Sequence, residues 1–319
     1  MSETSTCTST STANAAWASN SATNSVSMPQ SADRRRWCVA LSFATVALAA
    51  GCGSVPGPSP FKGTELSATP LLGKFVWRDL VTDKPDAVKP FYAALFGWQY
   101  VDSRAFDAPY TLIKSGGQFI GGISRAQRPQ PDQPVSQWLS FMSVADVDRA
   151  AERTRAAGGR VIAGPRDLPN VGRGAVVVDP DGAPLGLLRS RIGDPVDSAE
   201  PALHRFMWTE HLSRDPQEVA AFYAALAGFE VRRVDLAGQP YWLLVQGRER
   251  AGLLRNPIAV DRPIWLPYVR VADPAAAAAR AAQLGGRVLL APSAGLRNGT
   301  MALIADPSGA VLALQKWPL

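Results

Sequence analysis

An internal repeat constrains the fold of this chain more than any other feature of its sequence. Three landmarks of a first copy return with a constant shift of 131 positions (208 − 77, 222 − 91, 240 − 109): Trp77 as Trp208, 91–95 (Phe-Tyr-Ala-Ala-Leu) as 222–226, and 109–110 (Pro-Tyr) as 240–241. Three later landmarks return with a shift of 127 (265 − 138): 138–139, 158–159 and 179–182 as 265–266, 285–286 and 306–309. Repetition of this kind marks duplicated structural units. The sequence therefore predicts two copies of one domain, at residues 73–196 and 203–319.

Each copy divides into two units, in which a strand is followed by a helix and then by further strands. In the second copy Asp215 is the expected N-cap, Pro216 the first helical residue, and Gly228 the end of the helix. The corresponding helix of the first copy contains Pro90, and a proline beyond the first turn removes a backbone hydrogen bond. We therefore expect that helix to begin late, near Val88.

Two motifs recur at the ends of these elements: Phe-Tyr-x-x-Leu-x-Gly at 91–97 and 222–228, and Asp-Pro-x-Gly at 179–182 and 306–309. Their order along the chain resembles the vicinal oxygen chelate (VOC) superfamily, which includes glyoxalase I, bleomycin-resistance proteins and extradiol dioxygenases. The resemblance covers about residues 73–317. It implies an α+β fold with tandem glyoxalase-like domains, each made of two βαβββ units that form a cupped mixed sheet with helices outside.

In metal-using members of this superfamily, side chains from the strands hold a divalent ion inside the cup. Carried onto this chain, the four ligand positions fall on Trp77, Gly122, Leu139 and Gly186 in the first copy and on Trp208, Gly252, Leu266 and Ala313 in the second. None of these residues supplies the carboxylate, imidazole or thiolate that such ions need. We therefore expect cups without metal ligands, and neither a metal nor another cofactor.

Side chains two apart on a strand share a face, so Trp77 and Asp79 should point into one cup, and Trp208 and Glu210 into the other. Two interpretations are open. In the first, the indole stacks on a ligand and the carboxylate, with a pKa raised by burial, accepts a hydrogen bond or a proton. In the second, the indole fills the space of a metal and the carboxylate pairs with a neighbouring arginine.

The predicted ligand-binding residues are Trp77, Asp79, Tyr110, Trp208, Glu210 and Tyr241, of which Asp79 and Glu210 are also candidate catalytic bases. The two tyrosines begin equivalent strands and belong either to the rims of the cups or to the core.

Several other residues are expected to be structural. Trp138 and Trp265 should pack on the strands before the second helix of each copy. The chain has only two histidines, His204 and His211, which excludes a site with several histidine ligands. His211 falls on the strand face opposite Glu210, and a single histidine on a helix-covered face is more often structural than catalytic.

The N-terminal region reads as an export signal and not as part of the fold. Residues 1–27 are rich in Ser, Thr and Asn and are expected to be disordered or not translated. Residues 28–52 contain a basic run, an apolar run and a small-residue site that ends at Cys52, which resembles a bacterial lipoprotein signal. Residues 53–72, rich in Pro, Gly and Ser, should form a tether. We expect a protein exported to the cell envelope and anchored through a lipid on Cys52, in the outer membrane facing the periplasm.

Charge does not indicate a nucleic-acid partner. The net charge is +6, but the basic residues are interspersed with acidic ones except at 34–36, which the export signal explains. All three cysteines lie within the first 52 residues, so the predicted domains contain neither disulfides nor cysteine metal sites.

These observations leave three hypotheses. The leading one is metal-free binding or sequestration of a small apolar or aromatic molecule in the cups of an envelope lipoprotein. The alternative is a glyoxalase-like enzyme, of lyase, isomerase or hydrolase type, with Asp79 or Glu210 as general base. The third is a protein-interaction module whose cups are filled by packing.

Lipidation gives a direct test of the predicted anchor. A diacylglycerol on Cys52 supplies two acyl chains, which suffices for stable membrane attachment. Cys52→Ser should therefore move the protein from the membrane fraction to the soluble fraction while its thermal unfolding stays unchanged. A variant that still sediments with membranes would contradict the anchor.

Overall fold

A computed structural model of the chain describes residues 63–103, 109–128, 134–236, 238–258 and 262–318. The predicted segments 1–27 and 28–52, including Cys52, and the first part of the predicted tether, 53–62, lie outside the described residues. Within the described ranges, no helix is long and apolar enough to span a membrane.

The two domains contain the same elements in the same order. The first has β1 (Phe75–Thr82), α1 (Pro85–Phe96), β2 (Gln99–Ser103), β3 (Tyr110–Ser115), β4 (Gln118–Arg125), β5 (Gln137–Ser143), α2 (Val147–Ala156), β6 (Arg160–Leu168), β7 (Gly172–Val178) and β8 (Pro184–Ser190). The second has β9 (Phe206–Ser213), α3 (Pro216–Ala227), β10 (Glu230–Leu236), β11 (Gln239–Gln246), β12 (Arg248–Arg255), β13 (Ile264–Arg270), α4 (Pro274–Gln283), β14 (Arg287–Leu290), a 3₁₀ turn (Arg297–Gly299), β15 (Met301–Ala305) and β16 (Val311–Gln315).

Each domain forms one eight-stranded mixed sheet. The strand orders are β2-β3-β4-β1-β5-β8-β7-β6 and β10-β11-β12-β9-β13-β16-β15-β14. The first strand of each domain lies at the centre, parallel to the last strand of its own unit and antiparallel to the first strand of the next. The α+β fold with two βαβββ units in each domain, which the sequence predicts, is confirmed.

The helix limits follow from capping residues. α3 begins at Pro216 after Asp215, whose carboxylate accepts a hydrogen bond from the backbone N–H of Glu218, and it ends at Gly228 in the left-handed region (φ 78°). The predicted limits of this helix are confirmed.

The expected late start of α1 is wrong. The helix begins at Pro85, and Pro90 lies inside it with its ring on the exposed side. Pro85 supplies a favourable first helical residue. The buried face formed by Val88, Phe91 and Tyr92 keeps the helix together across the missing hydrogen bond.

The two domains share their core. α2 and α3 pack between the helix-facing sides of the two sheets in one cluster that includes Phe75, Val147, Phe222 and Trp265. α1 and α4 are part of a second cluster that likewise contains residues of both sheets. Because the helices are covered by both domains, neither domain buries its apolar surface alone.

The two sequence motifs meet across this interface. Tyr92 on α1 donates a hydrogen bond to Asp306 of the second domain (3.0 Å), and Tyr223 on α3 donates one to Asp179 of the first (2.9 Å). Asp179 also contacts His211 Nε2 at 2.7 Å. The side chains of Tyr92, Tyr223 and His211 are fully buried, so these bonds hold the domains in register. The structural role expected for His211 agrees with this position.

The tryptophans predicted to pack complete the same arrangement. Trp138 donates its indole N–H to the hydroxyl of Tyr92, and Trp265 donates to that of Tyr223 (3.3 and 2.8 Å). Both indoles are buried at the interface, so their structural role is confirmed. His204 is half-buried, and its ring lies tilted against that of Phe96, with 5.7 Å between the ring centroids.

Equivalent positions of the repeat contact one another near the centre of the interface. Arg78 and Thr209, 131 positions apart (209 − 78), are joined by a hydrogen bond of 3.0 Å from Nη2 to Oγ1. The Arg78 guanidinium also lies over the ring of Phe206 and makes no ion pair with a described residue. Burial lowers the pKa of Arg78 to about 9. Arg78 therefore lies away from both cups, as the alternation along β1 predicts.

The first domain includes residues that the sequence pattern assigned to the tether. Leu66 forms an isolated β-bridge with Pro195, and the backbone N–H of Leu71 donates to the carboxylate of Asp194 (2.7 Å). Ordered contacts therefore begin before the expected boundary at Gly73, because buried Asp194 takes backbone partners from this segment.

The tyrosine bonds across the interface should be measurable in unfolding experiments. Tyr223→Phe removes the donor to Asp179 and the acceptor of Trp265, and should cost about 2–3 kcal/mol, since hydrogen bonds to charged groups are among the stronger ones. At this chain size the melting temperature should fall by roughly 5–10 °C.

Tyr100→Phe is a matched control, because its hydroxyl donates only to the backbone carbonyl of Lys89 within one domain. It should cost about 1 kcal/mol or less. If both variants lose the same free energy of unfolding, the hydrogen bond across the interface contributes no more than one within a domain.

Candidate ligand-binding cups

Each sheet has one face that no helix of the described residues covers, and we call these faces the first and the second cup. On the first sheet, Trp77 pairs with Phe141 and Asp79 with Leu139, so the four side chains lie on one face. The apolar clusters on this face contain no helix residues. On the second sheet, Trp208 and Glu210 pair with Tyr268 and Leu266 in the same way.

Asp79 is the central polar group of the first cup. Its Oδ1 accepts hydrogen bonds from the indole N–H of Trp77 (2.8 Å) and from the hydroxyl of Tyr110 (2.5 Å). The indole N–H of Trp77 also contacts that hydroxyl at 3.0 Å. The three side chains therefore form one connected group, of which Asp79 is the half-buried member.

The electrostatic state of Asp79 is unusual for a carboxylate. Burial raises its pKa to about 6, and the hydrogen bonds from Tyr110 and Trp77 offset only part of that effect. No described residue forms an ion pair with it. Near neutral pH the first cup therefore holds a carboxylate that exchanges its proton easily and lacks a cationic partner within the described residues.

Glu210 occupies the same place in the second cup but has different partners. It accepts hydrogen bonds from the hydroxyls of Tyr241 (2.6 Å) and Tyr268, and it forms an ion pair with Arg297. Only 1% of the glutamate is exposed. Burial and the nearby carboxylate raise the pKa of both tyrosines, so the hydroxyls remain hydrogen-bond donors. This carboxylate is fully partnered by the protein.

Two substitutions within the repeat explain the difference between the cups. Tyr268 corresponds to Phe141 and Arg297 to Asn170 (268 − 141 and 297 − 170, both 127). Asn170 is exposed, whereas Arg297 reaches Glu210. At these two positions the first cup therefore has neither the second hydroxyl nor the guanidinium.

The backbone at Arg297 is strained. Arg297 and Asn298 are consecutive residues with positive φ (47° and 53°). Such conformations cost on the order of 1–3 kcal/mol each for residues other than glycine and persist when surrounding contacts require them. Here the buried ion pair with Glu210 supplies such a contact.

Tyr110 and Tyr241 belong to the centres of the cups, so a rim position is wrong. Each hydroxyl lies over a glycine: a Cβ added at Gly122 would be 1.8 Å from the oxygen of Tyr110, and one added at Gly252 would be 1.7 Å from that of Tyr241. The glycines are therefore the condition for each tyrosine to reach its carboxylate.

The residues at the family's ligand positions do not fit a divalent ion. The place of a ligand at Gly122 is taken by the hydroxyl of Tyr110, and a Cβ at Gly186 would be 2.2 Å from the ring of Phe141. Leu139 at the third position offers no donor atom. The described part of the chain contains no group of three His, Cys, Asp or Glu side chains able to hold a metal ion.

Both cups have apolar walls that are only partly buried. In the first cup these residues are Phe119, Phe141, Ile162, Ala163 and Leu168. In the second they are Met207, Trp208, Leu254, Ile258, Leu289, Leu290 and Leu296. Partial exposure of apolar side chains around a polar centre is typical of surfaces that bind small molecules.

The sequence pattern missed Arg297 and Tyr268. Neither lies in a repeated motif, because both interrupt the repeat. Comparison of the copies position by position gives the one available signal: an Asn, which tolerates a left-handed backbone, is replaced by an Arg that tolerates it poorly.

Two regions of the chain match models of known families. Residues 74–187 match the glyoxalase/bleomycin resistance protein/dioxygenase superfamily, and residues 209–314 match a glyoxalase-like domain. The chain is 31% identical over 246 residues to CFP32 of Mycobacterium tuberculosis, named as a glyoxylase, with 75% of this chain and 93% of that protein covered. It is 30% identical over 258 residues to the anthracycline biosynthesis protein DnrV of Streptomyces peucetius, with 75% and 91% covered.

Solved structures show the same fold at lower sequence identity. The Mn(II)-bound glyoxalase of Novosphingobium aromaticivorans superposes with a TM-score of 0.53 at 20% identity, over 77% of this chain and 82% of that one. The 2,3-dioxygenase LapB of Pseudomonas sp. KL28 gives a TM-score of 0.51 at 12% identity, over 77% and 94%. The superfamily resemblance drawn from the sequence motifs is confirmed.

The raised pKa of Asp79 predicts a pH dependence of stability. The folded protein binds the proton more tightly than the unfolded chain, whose carboxyl titrates near 3.8. The stabilising contribution of Asp79 is therefore fully present below about pH 4 and is lost as the pH rises to about 6 and above. When the pH is raised from 4 to 7.5, the free energy of unfolding of Asp79→Asn should increase relative to that of the wild type by on the order of 2 kcal/mol. The corresponding relative increase in melting temperature is roughly 5 °C.

Glu210→Gln is the control in these melting curves. This substitution leaves Arg297 without its charged partner. The free energy of unfolding at neutral pH should therefore fall by about 3 kcal/mol. If the wild type and Asp79→Asn show parallel pH profiles, Asp79 titrates normally and its electrostatic assignment is wrong.

Proposed function

Because the chain belongs to the glyoxalase/bleomycin resistance protein/dioxygenase superfamily, we propose that it binds a small apolar or aromatic molecule in the first cup without a metal ion. One observation carries the proposal. Asp79 is a half-buried carboxylate within an apolar face, it is oriented by Trp77 and Tyr110, and it has no ion-pair partner among the described residues.

The energetics of Asp79 favour a ligand contact. A buried charge without a charged partner is costly, and removal of water from the cup would increase that cost. A ligand that brings an N–H, an O–H or an ammonium group to Asp79 would compensate it. Carboxylates with perturbed pKa values are concentrated at functional sites.

The apolar surroundings indicate the rest of the ligand. Phe141, Ile162 and Leu168 are partly exposed on the same face as Asp79, so a molecule there would bury apolar surface against them. Filled cups, as an interaction module requires, would bury these side chains. Their exposure supports binding of a molecule with an apolar body and one polar, hydrogen-donating group.

A second function is favoured by the pKa of Asp79. A base that titrates near pH 6 lies close to neutral pH, where general-base catalysis is most efficient. Glu210 is less suited to this role, because three donors hold its carboxylate and solvent does not reach it. In this alternative Asp79 removes a proton from the molecule bound in the first cup.

We also propose that the two domains act at the cell envelope, anchored through Cys52. This part rests on the order of basic run, apolar run and cysteine in the sequence. Attachment through two acyl chains would hold the cups close to a membrane surface, where apolar molecules concentrate.

Mass spectrometry of small molecules that copurify with the full-length chain from its native host would test the proposal. We compare the wild type with Asp79→Asn, Trp77→Ala and, as the matched control from the other cup, Trp208→Ala. Loss of a charge-assisted hydrogen bond of about 1.5–3 kcal/mol should reduce the bound molecule at least tenfold in Asp79→Asn. Trp77→Ala should weaken binding by about 1 kcal/mol, and Trp208→Ala should leave the first cup unaffected.

The same experiment separates the two functions. If Asp79 only binds, the variant loses the molecule. If Asp79 is a base, the variant retains a substrate that differs from the molecule found with the wild type in mass or, for an isomerisation, in chromatographic retention at equal mass. The same molecule in the same amount in the wild type, Asp79→Asn and Trp77→Ala would contradict both.

A further inference from the structure

We infer that the second cup is a separate binding site for an apolar molecule that carries a carboxylate or carbonyl group, with Arg297 as its hydrogen-bond donor. The inference rests on the proposed function only in treating the cups as binding surfaces. It assigns to the second cup the opposite hydrogen-bonding character to the first.

The donors of Arg297 are only partly used. A guanidinium carries five N–H groups. Its Nη2 donates to Glu210, and its plane lies over the ring of Tyr268 at 5.6 Å. The side chain also interacts with the hydroxyl of Tyr241, and 15% of it is exposed, so the described residues use only part of the five N–H groups. Arg297 therefore offers donors to the cup.

Glu210 cannot take the complementary role. Its carboxylate accepts from Tyr241, Tyr268 and Arg297, and it is 1% exposed. A ligand that brings another donor would find no accessible acceptor there. The polar centre of the second cup therefore selects an acceptor group, whereas Asp79 in the first cup selects a donor group.

The walls of the second cup define the remainder of the ligand. Met207, Trp208 and Leu254 come from one side of the centre, and Leu290 and Leu296 from the strand and loop that lead to Arg297, all partly exposed. The indole of Trp208 has its N–H on the hydroxyl of Tyr241, so its ring is held in place beside Glu210. An aromatic body packed on this wall would place its acceptor at the guanidinium.

The loop that carries Arg297 is held in place by hydrogen bonds. The carbonyl of Arg297 accepts hydrogen bonds from the backbone N–H and the hydroxyl of Thr300 (3.1 and 2.6 Å). Gln315 on β16 donates to the same hydroxyl at 3.1 Å. These bonds fix the backbone of the loop, and the ion pair with Glu210 orients the guanidinium before a ligand arrives, which reduces the entropy lost on binding.

A pair of probes with the same ring system and opposite charge tests the inference. We choose 1-naphthoate and 1-naphthylmethylammonium, titrated into the full-length chain by calorimetry. The informative variant is Arg297→Lys, which keeps a cation beside Glu210 but removes the planar set of donors. It should bind 1-naphthoate at least tenfold more weakly than the wild type, with 1-naphthylmethylammonium unchanged. Asp79→Asn should give the reverse pattern.

A second variant keeps the test decisive if Arg297→Lys is poorly folded. Arg297→Met combined with Glu210→Gln removes both charges of the pair and leaves no uncompensated ion. It too should lose 1-naphthoate binding, with melting curves confirming that it is folded. Wild-type protein that does not bind 1-naphthoate, or a folded variant that binds it with wild-type affinity, would overturn the inference.

Failure of the proposed function has a different signature. If the first cup is not a binding site, 1-naphthylmethylammonium does not bind, or its affinity is unchanged by Asp79→Asn, while substitution of Arg297 still weakens 1-naphthoate binding. If only the effect of Arg297 substitution on 1-naphthoate affinity is missing, the second site is overturned and the first is unaffected.

Discussion

The rest of the structure depends on two buried carboxylates that each receive a tyrosine hydroxyl from the other domain. Asp179 and Asp306 close the last turn of their own domains, and Tyr223 and Tyr92 reach them from the first helix of the opposite domain. A buried hydrogen-bond acceptor without a donor costs free energy. Neither helix can therefore move away without exposing a carboxylate to solvent or leaving it without its tyrosine donor. The helices are thereby fixed between the two sheets, and the opposite faces of the sheets are left as the cups.

The two cups differ in the electrostatic surroundings of their central carboxylates. Asp79 and Glu210 descend from the same position of the repeat, yet the first has no described cation beside it and the second is paired with Arg297. The difference comes from two changes, Phe141 against Tyr268 and Asn170 against Arg297. A buried carboxylate without a cationic partner binds its proton more tightly and attracts hydrogen-bond donors. A buried carboxylate with such a partner holds the guanidinium in position. The raised carboxylate pKa that the first interpretation expects is found at Asp79, and the arginine partner that the second expects is found at Glu210.

The glycines at the family's ligand positions have a local explanation in this chain. Gly122 and Gly252 leave room for tyrosine hydroxyls that take hydrogen-bonding roles at the centre of each cup. A polar centre is therefore retained in each cup, built from aromatic hydroxyls and one carboxylate in place of a set of ligands. Such a centre is consistent with the proposed recognition of a molecule with one polar group.

Much of the fold followed from the sequence alone, because its signals are local. The repeat, the caps at Asp215 and Gly228 and the alternation that places Trp77 with Asp79 depend on neighbours along the chain. The start of α1 did not follow, since packing of Val88 and Tyr92 outweighs the interruption at Pro90. The sequence by itself determined the two domains, their family and the carboxylate at the centre of each cup. Only the tertiary structure decided that Arg297, 87 residues from Glu210, lies beside it, while Asp79 has no such partner among the described residues. The physical reason is that the electrostatic surroundings of a buried group are set by neighbours that the fold brings together.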